Sequence, residues 1–182
     1  MKYLKDVKFL EIKKIITGNL EENCYILVNN KDALVIDPGD DFHLIKEELK
    51  NLNLIGILIT HYHFDHVGAL SNLLEYKKVP IYDYNLEEKK YNIKNFEFEI
   101  IKTKGHKEDS VTFYFKNEQI MFTGDFIFKG TIGRTDLDGG NMKEMQESIE
   151  KIKRYNKEII LYPGHGELTT IEEEINNNYF FT

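Results

Sequence analysis

The sequence predicts an α/β fold of the α+β kind, a sandwich of two mixed β-sheets covered by helices. Three observations carry this. Short apolar or alternating runs that read as strands outnumber helical stretches in the first half of the 182 residues. Stretches with apolar residues at helical spacing lie between those strands. No repeat, low-complexity tract or linker divides the chain, so residues 1–182 read as a single domain large enough for a substantial core.

Val7 to Ile16 mixes apolar residues with Lys and Glu and reads as a first strand, ended by the turn Gly18-Asn19. Asn23 to Asn29 and Ala33 to Ile36 read as two strands around an Asn-Asn-Lys-Asp hairpin turn. Asp37-Pro38-Gly39 stops the second of them. Asp40 or Asp41 is placed to N-cap a helix running to Asn51, whose Phe42, Ile45 and Leu49 share one face. Ile55 to Thr60 is a short buried strand, Val67 to Lys78 a helix, and Val79 to Tyr84 a strand. Residues 85–95 are polar and charged and read as a loop or a short helix. Phe96 to Ile100 alternates with period two, and Val111 to Phe115 and Gln119 to Phe122 are further strands. Gly124 to Gly140 is a glycine-rich loop. Met142 to Tyr155 is helical, Ile159 to Tyr162 is a buried strand, and Thr170 to Asn178 is a polar helix.

Composition narrows the function classes. The net charge of -7 argues against a nucleic-acid partner, which calls for a basic face. Cys24 is the single cysteine, so no intrachain disulfide forms, as expected in a reducing cytoplasm. The opening residues carry no secretory signal. No stretch approaches the ~18 apolar residues of a membrane span. The expectation is a cytoplasmic protein acting on a small molecule, with no membrane partner; the oligomeric state stays open.

Three of the six histidines fall in His61-Tyr62-His63-Phe64-Asp65-His66, directly after an apolar strand. His61 and His63, two apart, can grip one metal from the same side, and Asp65 and His66 can turn toward a second. Imidazole and carboxylate suit zinc, iron or manganese. A lone histidine in a loop reads as solvated; three with an aspartate at a strand end do not. His106, Asp125 and His165 each lie a few residues beyond another strand, beside a glycine that lets the backbone turn. Taken singly, His106 and His165 read as surface histidines. If the strands run the same way, all converge on one edge of the sandwich. His43 lies inside a helix and reads as an ordinary, partly exposed helix residue.

The sequence resembles the metallo-β-lactamase superfamily, in its glyoxalase II-like branch. Thr60-His61-Tyr62-His63-Phe64-Asp65-His66-Val67-Gly68, Gly105-His106, Phe122-Thr123-Gly124-Asp125 and Pro163-Gly164-His165-Gly166 carry the resemblance. Asn23-Cys24-Tyr25 and Val35-Ile36-Asp37-Pro38-Gly39 match two further family strands. The resemblance implies a four-layer αββα sandwich and two divalent metal ions. Zinc is the expected ion, with iron or manganese as alternatives. It implies His61, His63 and His106 on the first metal, Asp65, His66 and His165 on the second, and Asp125 bridging them, with Asp65 and Asp125 at the reacting centre. All seven positions hold the expected residue. Such a centre makes hydroxide available near neutral pH for attack on a thioester or related ester carbonyl. Asp37 is expected behind the ligands, ordering a histidine.

Two loops set this chain apart. The loop Lys129 to Leu137 is similar to that of the short glyoxalase II-like hydrolases, but Arg134 and Asp136 stand where larger members place a Lys and a Tyr for glutathione. Arg134 either anchors a substrate carboxylate or pairs with Asp136 or Asp138 to brace the loop. Around His106, Lys104, Lys107, Glu108 and Asp109 replace the family's usual Pro, Thr and Pro-Gly. Two rival readings remain. One is a persulfide dioxygenase with a single iron on His61, His106 and Asp125; the other is a non-catalytic metal-binding module.

Overall fold

The computed structural model describes residues 10–182. The first strand is β1 (Glu11–Thr17), and residues 7–9 of its expected span lie outside the described residues. β1 is followed by β2 (Glu22–Asn29), β3 (Asp32–Ile36), β4 (Asn53–Leu58) and β5 (Ile81–Tyr82), and these five form one sheet in chain order. The first three are antiparallel, and β4 and β5 add in parallel to β3.

The second sheet contains β6 (Lys90–Ile93), β7 (Phe96–Lys102), β8 (Val111–Phe115) and β9 (Ile120–Gly124). A small ribbon of β10 (Ile127–Phe128) and β11 (Thr131–Ile132) follows. β12 (Ile160–Pro163) and β13 (Thr169–Thr170) complete the second sheet, in the order β13-β12-β9-β8-β7-β6. β12 pairs in parallel with β9, and β7, β8 and β9 are antiparallel neighbours. So β7, β9 and β12 run the same way and end at one edge.

Period-two alternation sorts the side chains into layers. Tyr25, Leu27, Leu34, Ile36 and Leu58 face Phe96, Phe98, Phe113, Phe115 and Phe122 across the space between the sheets. The intervening Cys24, Ile26, Val28, Val35 and Ile57 meet helices α1 (Phe42–Glu48) and α3 (Leu70–Tyr76) through Ile45 and Leu73. On the other side, Tyr114, Met121 and Leu161 meet α4 (Met142–Ile152) and α5 (Ile171–Asn177) through Met145, Ile149, Ile152 and Ile171. The order helix, sheet, sheet, helix is the expected αββα sandwich.

Three local expectations are corrected. Asp41 does occupy the N-cap position of α1, but in a left-handed conformation (φ 47°) and without a side-chain cap. Its carboxylate instead accepts the Gly18 N–H at 2.9 Å, which pins the β1–β2 turn. The helix expected from Val67 to Lys78 is two pieces, α2 (Phe64–Val67) and α3. The Ala69 N–H between them goes to the carbonyls of Pro38 and Gly39. The 85–95 segment holds neither helix nor plain loop along its whole length, because Lys90–Ile93 add to β7 as an edge strand. Its exposed Lys and Asn suit a sheet edge.

A buried carboxylate fastens the C-terminal helix to the loop that follows Asp125. Glu174, fully buried, accepts the Thr169 hydroxyl at 2.5 Å, the Gly130 N–H at 2.9 Å and the Asn178 amide at 2.6 Å. Removing the acceptor strands three donors, so Glu174→Ala is expected to cost about 2–4 kcal/mol in urea unfolding. An unchanged midpoint would contradict this account of the loop.

Candidate metal centre

All seven histidine and aspartate side chains singled out in the sequence meet at one edge of the sandwich. β4 delivers His61, His63, Asp65 and His66 from one sheet. From the other sheet, β7 leads to His106, β9 to Asp125 and β12 to His165. The common direction of these strands is what makes residues far apart in sequence converge.

Two groups of donors result. His63 Nδ1 lies 3.0 Å from His61 Nε2 and 2.8 Å from His106 Nε2. On the other side, Asp65 Oδ2 lies 3.3 Å from His165 Nε2 and 3.9 Å from His66 Nε2. Asp125 sits between, with Oδ1 3.2 Å from His66 Nε2 and Oδ2 3.6 Å from His106 Nε2. His66 Nε2 and Asp125 Oδ1 are buried and make no hydrogen bond of acceptable geometry. Converging, unpartnered donors of this kind fit divalent cations. His61, His63 and His106 form one group that could hold an ion, and Asp65, His66 and His165 another.

The far nitrogen of four histidines is held from behind. Thr60 Oγ donates to Asp37 Oδ2 at 2.5 Å, so it can only accept from His61 Nδ1, 3.1 Å away. Asp37 Oδ2 also faces His66 Nδ1 at 3.0 Å. The Arg134 carbonyl is 2.8 Å from His106 Nδ1, and the Leu20 carbonyl is 3.0 Å from His165 Nδ1. Each contact calls for a proton on Nδ1 and turns the Nε2 lone pair toward the centre. Gly164 has the same logic in backbone form: a Cβ there would collide with Asp125 Oδ1 and His66 Cε1.

At His61 and His63 the electrostatics agree with ligand geometry. Burial and the neighbouring imidazoles of His66, His106 and His63 hold His61 well below the usual histidine range. Burial, with His106 beside it, lowers His63 too. Both offer neutral lone pairs. Burial opposes a charge on His66, but the carboxylates of Asp125 and Asp37 outweigh it and hold its pKa well above the usual value. Burial likewise opposes the charges of Asp65 and Asp125. The rings of His165 beside Asp65 and of His66 beside Asp125 override it and hold both carboxylates below their usual range.

The expected secondary residues fall into place. Asp37 stands behind His66, Cys24 is buried in β2, and His43 is an exposed residue of α1. The guanidinium of Arg134 makes two bonds to the Asp136 carboxylate, at 3.0 and 2.9 Å. Sequence reasoning missed the structural role of the Asn23-Cys24-Tyr25 motif. The Asn23 amide donates to the Pro163 and Gly166 carbonyls at 3.0 and 3.1 Å, and the Tyr25 hydroxyl to Pro163 at 2.7 Å. Both residues clamp the turn that presents His165. The motif itself was the available signal.

Comparison with known proteins agrees. The model of the metallo-β-lactamase superfamily matches residues 17–94 and 87–165. The hydroxyacylglutathione hydrolase GloC of Haemophilus influenzae is 30% identical over 94% of this chain and 98% of its own. The crystal structure of the BLEG-1 B3 metallo-β-lactamase superposes with a TM-score of 0.91 at 33% identity, covering 94% of this chain and 100% of that one. TTHA1623, crystallised in a di-iron-bound form, gives 0.82 at 30% identity over 92% and 99%.

Loss of a partner behind a ligand histidine typically costs 10–100-fold in metal affinity. Asp37→Ala is expected to weaken binding by about that factor in competition with a chromogenic chelator. Wild-type affinity in this variant would remove Asp37 from the account.

Proposed function

Because the chain belongs to the metallo-β-lactamase superfamily and is a metallo-hydrolase of that superfamily, we propose that it is a dinuclear-metal thioester or ester hydrolase. The observation that carries the reading is the paired donor arrangement, with Asp125 reaching toward both groups. In this proposal His61, His63 and His106 hold the first ion, and Asp65, His66 and His165 the second, with Asp125 between. Zinc suits these donors; iron suits them too, and one similar protein is known in a di-iron form. Divalent cations supply hydroxide at neutral pH and polarise a carbonyl oxygen.

The chain's own residues do the rest. Asp65 and Asp125 remain ionised and keep carboxylate oxygens at the centre, where they orient the attacking water. The bonds behind His61, His66, His106 and His165 prevent the rings from turning as charge develops. The cavity in front of the ligands, of about 380 Å³, is also lined by Leu20, Phe64, Phe128, Arg134 and Leu137. Arg134 borders the substrate's path as a pair with Asp136, so it meets the substrate as a braced plane. A substrate carboxylate would have to displace Asp136 to reach it. Similarity to a hydroxyacylglutathione hydrolase supports a thioester as the substrate.

The test is steady-state hydrolysis of S-lactoylglutathione and other thioesters by metal-loaded protein. His63→Ala is expected to lose bound metal and at least about a hundredfold in kcat/KM, as removal of a catalytic metal's ligand should. Full activity in that variant would defeat the assignment.

A further inference from the structure

A second cavity lies beside the candidate metal centre. It measures about 270 Å³ and is lined by Thr17, Gly18, Asn19, Gly39, Asp40 and Gly68. Leu20, Phe64 and Asp65 line both this cavity and the one in front of the metal ligands. Leu20 is 52% and Phe64 75% exposed, and Leu137, 40% exposed, stands at the same mouth. A single exposed apolar side chain is ordinary, but several around one opening form a contact surface. The ridge is also fixed to the reacting centre, since the Leu20 carbonyl holds His165 Nδ1 and Phe64 lies between two of the proposed ligands.

The polar groups of the second cavity are largely committed to the protein itself. Thr17 Oγ donates to Glu22 at 2.8 Å and accepts the Asp40 N–H at 3.2 Å. The Gly18 N–H goes to Asp41, and the Gly39 carbonyl accepts from Ala69. Asp40 Oδ1 accepts the Asp41 N–H at 2.7 Å, which leaves its negative charge at the cavity wall. Among the described residues lining the two cavities, Arg134 is the one lysine or arginine, and Asp136 pairs with it. Away from the metal ligands, the second cavity therefore offers the apolar surfaces of Leu20 and Phe64, with the Asn19 amide and the Asp40 carboxylate on its wall, and, among its described residues, no cation to receive an anionic tail.

We propose that the second cavity is a subsite for an uncharged, apolar acyl tail, which passes over the Leu20–Phe64 ridge while the scissile carbonyl lies at the metal centre. The proposal rests on the hydrolase reading. Together the two cavities give room of the size that small-molecule sites occupy. The specificity it implies is for medium-length aliphatic or aromatic acyl groups over dicarboxylic ones.

Two measurements test it. In the first, metal-loaded protein is assayed with acetyl, butanoyl, hexanoyl, octanoyl and succinyl thioesters of N-acetylcysteamine, whose leaving group is constant and uncharged. The ratio kcat/KM is expected to rise about two- to fourfold per added methylene, with succinyl poorest for its size. Asn19→Trp, which fills the cavity, should shrink the octanoyl-to-acetyl ratio about tenfold, and Asp40→Asn should raise succinyl against butanoyl. A flat series, or a preference for succinyl, overturns the subsite while leaving the hydrolase intact. In the second, binding of the neutral dye N-phenyl-1-naphthylamine is followed by fluorescence without turnover. Octanamide should displace it and succinate should not, and Asn19→Trp should weaken it. If no thioester is hydrolysed, the hydrolase reading fails. The dye then decides the subsite independently, and absence of displacement by octanamide overturns it.

Discussion

The carboxylate of Asp37 ties the first sheet to the edge that carries the candidate metal centre. It sits at the end of β3, buried, on a left-handed backbone (φ 48°). Oδ1 accepts the Thr60 N–H at 2.7 Å, and Oδ2 takes the Thr60 hydroxyl and faces His66 Nδ1. One buried carboxylate thus fixes the residue that precedes the His/Asp cluster, the ring of His66 and, through the Thr60 hydroxyl, the ring of His61. A second anion beside it would be costly. Glu22 eases that conflict, since burial pushes its carboxyl well above the usual range, toward the neutral form.

The second sheet is registered against the first by bonds at the same edge. The Val111 N–H donates to the Thr60 carbonyl at 2.8 Å, and the Asn23 N–H to Gly164 at 2.7 Å. These contacts align β4 with β8, and β2 with the end of β12. The candidate ligands from the two sheets therefore share one frame, and the aromatic core between the sheets holds that frame rigid. Phe98 alone meets the rings of Tyr82, Tyr91, Phe113 and Phe115. Large cavity penalties in such a core, about 3–5 kcal/mol for a buried Phe truncated to Ala, oppose any shift of one sheet on the other.

Much of this was legible in the sequence. Period two in Phe96 to Ile100 is a direct image of a strand with one face on the core between the sheets, and the unbroken apolar run Tyr25 to Val28 suits a strand packed on both faces by different layers. The donor residues were legible because few other roles place three histidines and an aspartate at the end of an apolar strand. What escaped depends on contacts distant in sequence. Lys90–Ile93 becomes a strand because β7 offers a free edge. Asp41 forgoes capping because Gly18 N–H lies within reach. The carbonyls of Arg134 and Leu20 orient His106 and His165, and a main-chain acceptor leaves no mark on residue type. Arg134 itself was ambiguous for a related reason: sequence supplies its charge, and only geometry shows Asp136 bound to it.

The central claim is that one edge of the sandwich presents two cation seats that share Asp125. Its most direct test is titration of metal-free protein with zinc, followed by calorimetry and elemental analysis of the desalted product. The account predicts two equivalents per chain in the wild type. Replacing His165 by alanine should lower the second equivalent's affinity far more than the first's. A single equivalent at saturation, or two that are indifferent to His165→Ala, would contradict it.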